Sequence, residues 1–535
     1  MTRNILILVF IFLAVILVIN PNGDFPLNDD WSYGQAVKNL VGKGEYCLSN
    51  WTAMPLFTQV LWGALFSIPF GFSFLALRVS TLVISLIGLV FLTLLFQRAG
   101  EKRGRFLLLG LLTLLFNPIY LGLSCTFMTD VHFIAFSIIS LYLLATGVKK
   151  KSNALLITGM AFTVLATLIR QIGLLIPLAF GFGYLTRGKP NGKKIALTAG
   201  FLLFTIAAFF VYEKWLEAHC GLPTAYHANT DRIAAAFASG LPAISVQIIK
   251  NVLVTFSYLS LFLLPLTVLI IPSAPKKRLL LFLGISIAAL TAFRLAGFAL
   301  PGNILSDRGI GPFTLKHSRD FASFSGSLLS KCILAAITLL GGGFLIEALF
   351  RIATRIKKNW FAMMLFSLSI LYFLSICLVH QFDRYILVYV PILATLILLT
   401  TRKLKIPKWT LAVGYAIVIA YGLFSISAAH DYLLWNRTRW QATHYLTDKL
   451  SIPADKIDAG FEFNGLYTYS EEYKKEPGKS WWWVKDDTYI VSFEQLVGYT
   501  AIKEYRIRTW LPAGIRNIYI LKKTLDSYRS IPLKG

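Results

Sequence analysis

Charge is scarce in this chain. Of its 535 residues only 15% are charged, where a soluble domain carries about 25%. Acidic residues are scarcest, 26 Asp and Glu against 52 Lys and Arg, a formal net charge of +26. Five scattered cysteines (Cys47, Cys125, Cys220, Cys332, Cys377) form no CxxC pair. They suggest neither a disulfide framework nor a metal knuckle and read as small apolar fillers. No small-residue cleavage site follows the first apolar stretch, where Asn20-Pro21-Asn22-Gly23 stands. Asn4–Ile19 therefore reads as a retained helix and not as a removed signal. These absences exclude an ordinary soluble domain.

Hydrophobic residues make up 56% of the chain and aromatics 14%, with a mean hydropathy of +0.65. The apolar residues fall into stretches of about 17 to 22, enough to cross a hydrocarbon core of ~30 Å as helices. Only a helix pairs every backbone amide within its own segment there. After Asn4–Ile19, spans are expected near Leu77–Phe96, Phe106–Leu123, Val131–Gly147, Ala154–Ile169, Ile172–Leu185 and Ile195–Tyr212. Further spans are expected near Val252–Ile271, Leu279–Leu295, Leu328–Phe344, Trp360–Leu378, Tyr385–Thr400 and Trp409–Ala428. The expected fold is an all-α polytopic membrane protein with about 13 transmembrane helices.

The basic residues gather in alternate loops: Arg3; Arg98, Lys102, Arg103 and Arg105; Lys149–Lys151; Arg187, Lys189, Lys193 and Lys194. Then come Lys276, Lys277 and Arg278; Arg351, Arg355, Lys357 and Lys358; and Arg402, Lys403, Lys405 and Lys408. With that number of spans every cluster falls on one side, which reads as cytoplasmic. A loop pattern of this kind speaks against nucleic acid as the partner of the positive charge and for the lipid bilayer. The N-terminus is then cytoplasmic and the C-terminal segment extracytoplasmic. The expected division is a transmembrane domain over 1–429, with an outer catalytic loop at 21–75, and a small α/β extracytoplasmic domain over 430–535. In the latter, Trp440–Leu450 reads as an amphipathic helix, and Lys456–Phe463, Thr488–Phe493 and Ile515–Leu521 as strands. Trp481-Trp482-Trp483 reads either as packing or as a carbohydrate or lipid-surface platform. The stretch from Trp51 to Phe74, broken by Pro55, Pro69 and Gly71, reads as a helix lying on the outer membrane surface.

Ionisable residues on the outer side are the candidates for chemistry. Asp29 and Asp30 are followed by Tyr33 just past the first helix. A partly desolvated carboxylate can act as general base on a hydroxyl or hold a divalent metal. Asp before Trp-Ser-Tyr equally fits a helix N-cap. Thr129-Asp130 sits at the outer edge of the fourth span, where a carboxylate is costly and so a functional candidate, or again a cap. His132 reads as packed. Arg170, Arg294 and His380-Gln381-Phe382-Asp383-Arg384-Tyr385 also fall on this side. Guanidinium groups there match phosphate oxygens; snorkelling or pairing with Asp383 or Asp130 is the alternative.

In this order the features resemble the GT-C superfamily of polytopic glycosyltransferases, in the protein O-mannosyltransferase and aminoarabinose-transferase branch. The resemblance rests on Asp29-Asp30-x-x-Tyr33, with Asp where the family has Glu, and on the run from Gln35 to Tyr46. Ala76-Leu77-Arg78-Val79-Ser80, Thr129-Asp130, Leu168–Leu174 around Arg170, and Asp383-Arg384-Tyr385 with Pro391 complete it. It implies inverting transfer of a sugar from a polyprenyl-phosphate donor to a lipid, glycan or protein acceptor outside the cytoplasm. It casts Asp29 as base, Asp30 and Tyr33 as assisting or orienting groups, and Asp130 as support. Arg384, Arg170, Tyr385 and Arg294 would hold the donor phosphate. Some relatives use a divalent metal ion, but the sequence shows no ligand set. A transporter or flippase for lipid-linked sugars, and a non-catalytic factor of envelope polysaccharide assembly, are the rival readings.

Overall fold

The computed structural model describes residues 2–298, 300, 302–306, 308–316, 328–356, 359–379 and 381–524. Lys357, Lys358, His380 and the Cys332 side chain lie outside the described residues. The N-terminal half comprises α1 (Thr2–Ile19), α2 (Asp30–Lys43), α3 (Phe57–Phe70), α4 (Phe74–Arg98), α5 (Gly104–Leu115), α6 (Pro118–Ser124), α7 (Thr129–Lys150), α8 (Asn153–Thr167) and α9 (Leu175–Leu185). Then follow α10 (Gly192–Cys220), α11 (Ala228–Ala238), α12 (Leu241–Phe262), α13 (Leu264–Thr267) and α14 (Lys276–Leu295). A short hairpin of β1 (Leu305–Ser306) and β2 (Gly309–Ile310) precedes α15 (Leu328–Arg355), α16 (Trp360–Ile376), α17 (Tyr389–Thr401) and α18 (Lys408–His444). The chain ends in β3 (Ile457–Asp458), α19 (Phe461–Thr468), β4 (Tyr489–Ser492), β5 (Tyr499–Trp510) and β6 (Ala513–Lys523).

Each expected span falls on a helical segment, but fewer are uninterrupted. Among the described residues eight helices are long and apolar enough to cross a membrane, and α5 with α6, bent by 66°, makes a ninth. The bend follows from Asn117-Pro118: Pro118 has no N–H to continue α5, and the Asn117 side chain caps Ile119 and Tyr120 instead. Helices α1, α3, α8, α9 and α16 are shorter apolar segments. The helices approach through small residues: a Cβ added at Gly147 would stand 2.9 Å from the Leu156 backbone nitrogen, and one at Gly159 2.9 Å from that of Leu144, which locks α7 against α8.

The basic clusters meet at one end of the bundle. Arg103 donates to the Thr401 and Leu404 carbonyls, Arg402 to that of Ala99, and Arg98 to that of Ala145. Arg187 reaches the Val148 carbonyl and Arg355 that of Thr400, while Arg278 and Arg351 share Glu347.

The opposite end carries the loops and the C-terminal sheet, of strand order β3-β4-β6-β5, parallel between β3 and β4 and antiparallel elsewhere. Here the structure corrects several expectations. The helix expected over Trp440–Leu450 merges into the 37-residue α18, which runs through the expected boundary at 429. The strand expected over Lys456–Phe463 ends after Asp458, because Gly460 turns the chain at φ 87° into α19. A Cβ at Gly460 would collide with the Thr314 carbonyl. The longest strand, β5, was not expected. Cys47 and Cys220 are not fillers: they form a disulfide, Cα–Cα 5.7 Å, tying the loop after α2 to the end of α10. Cys125 and Cys377 are free and buried.

Candidate active site

The outer loop from Pro21 to Asp30 is built onto one guanidinium. Arg78, 1% exposed on α4, donates to the carbonyls of Pro21, Gly23, Phe25 and Cys125 at 2.7 to 2.9 Å. Asp30 finishes the join, accepting from the Phe127 amide at 2.8 Å and the Leu27 amide at 3.2 Å. Burial pushes the Asp30 carboxyl up to about 8, against the opposing effect of Arg78 and the two amides. Its oxygens are occupied in fastening loop 21–30 to the start of α7, which makes Asp30 a positioning group.

Asp29 occupies the N-cap position of α2, yet its side chain caps nothing. It accepts instead from the Trp51 indole N–H at 2.9 Å and stays partly exposed. Desolvation raises its pKa above the ordinary aspartate range; Arg384 and the Trp51 bond oppose this, and Glu462 and Asp130 add to it. Tyr33, one turn along α2, is buried, and burial together with Asp29 pushes its hydroxyl far up, so it stays protonated and able to donate.

Asp130 also caps nothing; Met128 is the N-cap of α7. Its Oδ1 pairs with Arg170 at 2.6 Å and its Oδ2 lies 3.7 Å from the Arg384 guanidinium. Both arginines face the Tyr385 ring, at 5.4 and 5.7 Å from its centroid. Two buried guanidinium groups thus share one carboxylate and keep a net positive charge. Arg384 makes no side-chain hydrogen bond among the described residues, and its Nε is buried without a partner. A cavity of about 340 Å³ opens beside Arg170 and Tyr385 and continues between apolar side chains, among them Ile172, Leu175, Ile233 and Ile376.

The structure therefore brings together Asp29, Tyr33, Asp130, Arg170, Arg384 and Tyr385. It does not bring Arg294, which is exposed in the last turn of α14 and bonded to none of them. His132 is packed edge-on against Phe127. Among the described residues Asp383 pairs with no arginine side chain; it accepts from the amides of Asn303, Ile304 and Leu305, holding that segment next to Arg384.

Three features were not legible from the sequence. Arg78 looked like part of a helix entry. Glu462 accepts from the Asn28 amide at 3.1 Å, Thr314 at 2.6 Å and Arg439 at 2.6 Å, joining two outer loops, α18 and α19. Trp31 packs with Trp51, Phe461, Tyr469 and Trp483, ring centroids 5.3 to 6.2 Å away. Of the tryptophan triplet, Trp483 is thus packing, while Trp481 is 51% exposed.

Among the described residues no three His, Cys, Asp or Glu side chains are placed to hold a metal ion. The donor set fits one poorly: Asp30 spends both oxygens on amides, and Asp130 faces two guanidinium groups whose positive charge opposes a cation there, which leaves Asp29 with one oxygen to offer.

Fold and site together define a multi-pass membrane protein with a buried acid–arginine centre opposite its basic loops. No protein-family model matches the chain, and no curated protein matches it. Among solved structures it is similar to ArnT from Cupriavidus metallidurans bound to undecaprenyl phosphate, at 14% identity and TM-score 0.45, over 83% of this chain and 72% of that one. The apo form of ArnT matches at 16% identity and TM-score 0.43 over the same shares. An Archaeoglobus fulgidus oligosaccharyltransferase tethered to an acceptor peptide with the NVT sequon matches at 13% identity and TM-score 0.45, over 89% of this chain and 61% of that one. Both proteins are GT-C glycosyltransferases. At these scores the likeness is weak, and the function proposed for this chain rests on its own residues.

Proposed function

We propose that the chain is a membrane glycosyltransferase that moves a sugar from a polyprenyl-phosphate donor to an acceptor hydroxyl on the extracytoplasmic side, with inversion. The observation that carries this is the arginine pair: Arg170 lines a largely apolar cavity, and behind it Arg384, a buried guanidinium loosely paired at 3.7 Å with the same Asp130, keeps donors unused. Such a group suits a phosphate whose lipid tail runs along apolar walls. The volume of about 340 Å³ falls in the ordinary range for small-ligand sites, ~300–1,000 Å³.

In this reading the acceptor hydroxyl approaches Asp29, whose free oxygen takes its proton as the oxygen attacks the anomeric carbon. The bond from that carbon to the phosphate oxygen breaks. Polyprenyl phosphate leaves, and the charge growing on it meets Arg384 and Arg170. Asp130 keeps both guanidinium groups in place, Tyr33 offers its hydroxyl beside Asp29, and Tyr385 backs the arginines. The acceptor enters past Trp51 and the C-terminal domain.

The test is release of polyprenyl phosphate by purified protein supplied with polyprenyl-phosphate sugars. Asp29→Asn should lower turnover about 10²-fold or more, and Arg384→Ala should weaken donor use while Arg384→Lys recovers part of it. Equal donor consumption by wild type and Asp29→Asn would overturn the assignment and favour the flippase reading.

A further inference from the structure

The β5–β6 hairpin carries a surface that the transfer reaction does not use. Its tip is pinned to α18. Asp431 accepts from the Trp510 amide at 2.9 Å with both oxygens and from the Leu511 amide at 2.7 Å. The His430 ring stacks on Trp510 at 3.6 Å and 6°. Helix α18 fixes the height of this joint. Its apolar stretch from Trp409 to Ala428 is roughly 20 residues, or ~30 Å of helix, the thickness of a hydrocarbon core. Asp431 therefore stands where α18 leaves the membrane, and Trp510 stands with it.

The tip is apolar and open. Trp510 is 43% and Ile515 68% exposed. Leu511 and Pro512 lie between them, and the pairings Trp510↔Ala513 and Arg508↔Ile515 put these residues on one face. Along the same face of β5, two, four and six residues back from Trp510, come Arg508, Arg506 and Glu504, all exposed, with Arg506 paired to Glu504 at 3.2 Å and Arg508 in no ion pair among the described residues. Ile507 and Thr509 point the other way and are buried. An aromatic and aliphatic tip at the membrane boundary, with two guanidinium groups above it, has the chemistry of an interfacial anchor.

We propose that this hairpin tip inserts into the outer headgroup layer beside α18, with Arg506 and Arg508 on anionic lipid phosphates, and so holds the C-terminal domain down on the bilayer. The occupant is the lipid surface of the membrane the chain itself spans. Its charge complements the arginines, and α18 delivers the tip to that depth.

The experiment uses the full chain in phosphatidylcholine vesicles with or without phosphatidylglycerol. A nitroxide is placed at Ala513→Cys, and in a second variant at Val497→Cys, a fully exposed position in the turn before β5. Unlabelled-site background is taken from the chain without the added cysteine. Collision with oxygen relative to an aqueous nickel complex should be several-fold higher at 513 than at 497. Phosphatidylglycerol should raise it further at 513, and Arg506→Gln with Arg508→Gln should remove that rise. Equal ratios at the two positions would overturn the proposal. So would dipolar broadening between labels at 513, which would mean that a second copy covers this face.

Discussion

At the residue scale, the site separates two adjacent carboxylates that look alike in the sequence. Asp30 spends its oxygens on two backbone amides, whereas Asp29 keeps one open beside Arg384 and Tyr33. Burial raises Asp29 above the ordinary aspartate value of about 3.9. A base works only when ionised, and a raised pKa moves ionisation to higher pH. The rate should therefore rise with pH through a value above that of a free aspartate and flatten beyond it. A pH profile of kcat/KM for wild type and Asp29→Glu checks this; an acid limb at or below the free value in wild type would contradict it. The doublet at 29–30, Asp130, Arg170 and Arg384 were legible because charge is rare in an apolar chain and each stands at a span end. Their division of labour was not. It depends on amides such as that of Phe127, 97 residues from Asp30 in sequence. Arg294 met the same sequence criterion as Arg384 and failed in three dimensions, since α14 packs against α15 and α12 and leaves its end open.

At the scale of elements, the site is roofed by loops that fasten to helix ends through single side chains. Asp383 gathers three successive amides at 303–305. Asp383→Ala should free that segment, with amide hydrogen exchange rising at residues 303–305 and unchanged at the basic end of the bundle. Uniformly unchanged exchange would show that Asp383 does not hold the loop. Helix periods and charge clusters were readable in the sequence because they repeat locally. The early start of α12 and the strand β5 were less so. Their positions are set by packing against distant segments: α12 lies against α15, and β5 is held to α18 through the Trp510 amide on Asp431, 79 residues away in sequence.

At the scale of the whole molecule, five of the seven basic clusters bond to one another's helix ends at one end of the bundle, and the acid–arginine centre, the disulfide and the sheet lie at the other. Sidedness was the best-founded inference from the sequence, because it draws on many residues at once. The Cys47–Cys220 bond, across 173 residues, was invisible to spacing. Disulfides persist in oxidising compartments, so this bond provides a check. In intact cells a membrane-impermeant maleimide should label Cys47 and Cys220 only after reduction by an impermeant phosphine. Labelling without reduction would show that the bond is absent, and no labelling after reduction would reverse the assigned orientation.

The carboxylate of Glu462 has a consequence for how such a chain can be altered. Asn28, Thr314 and Arg439 all converge on it from separate parts of the chain. Removing one partner of a buried pair of this kind costs about 3–5 kcal/mol. Grafting a foreign C-terminal domain onto this bundle to change acceptor choice would therefore fail at a junction drawn by chain position alone. The transplant has to carry all three of these contacts across together, as one mechanical coupling.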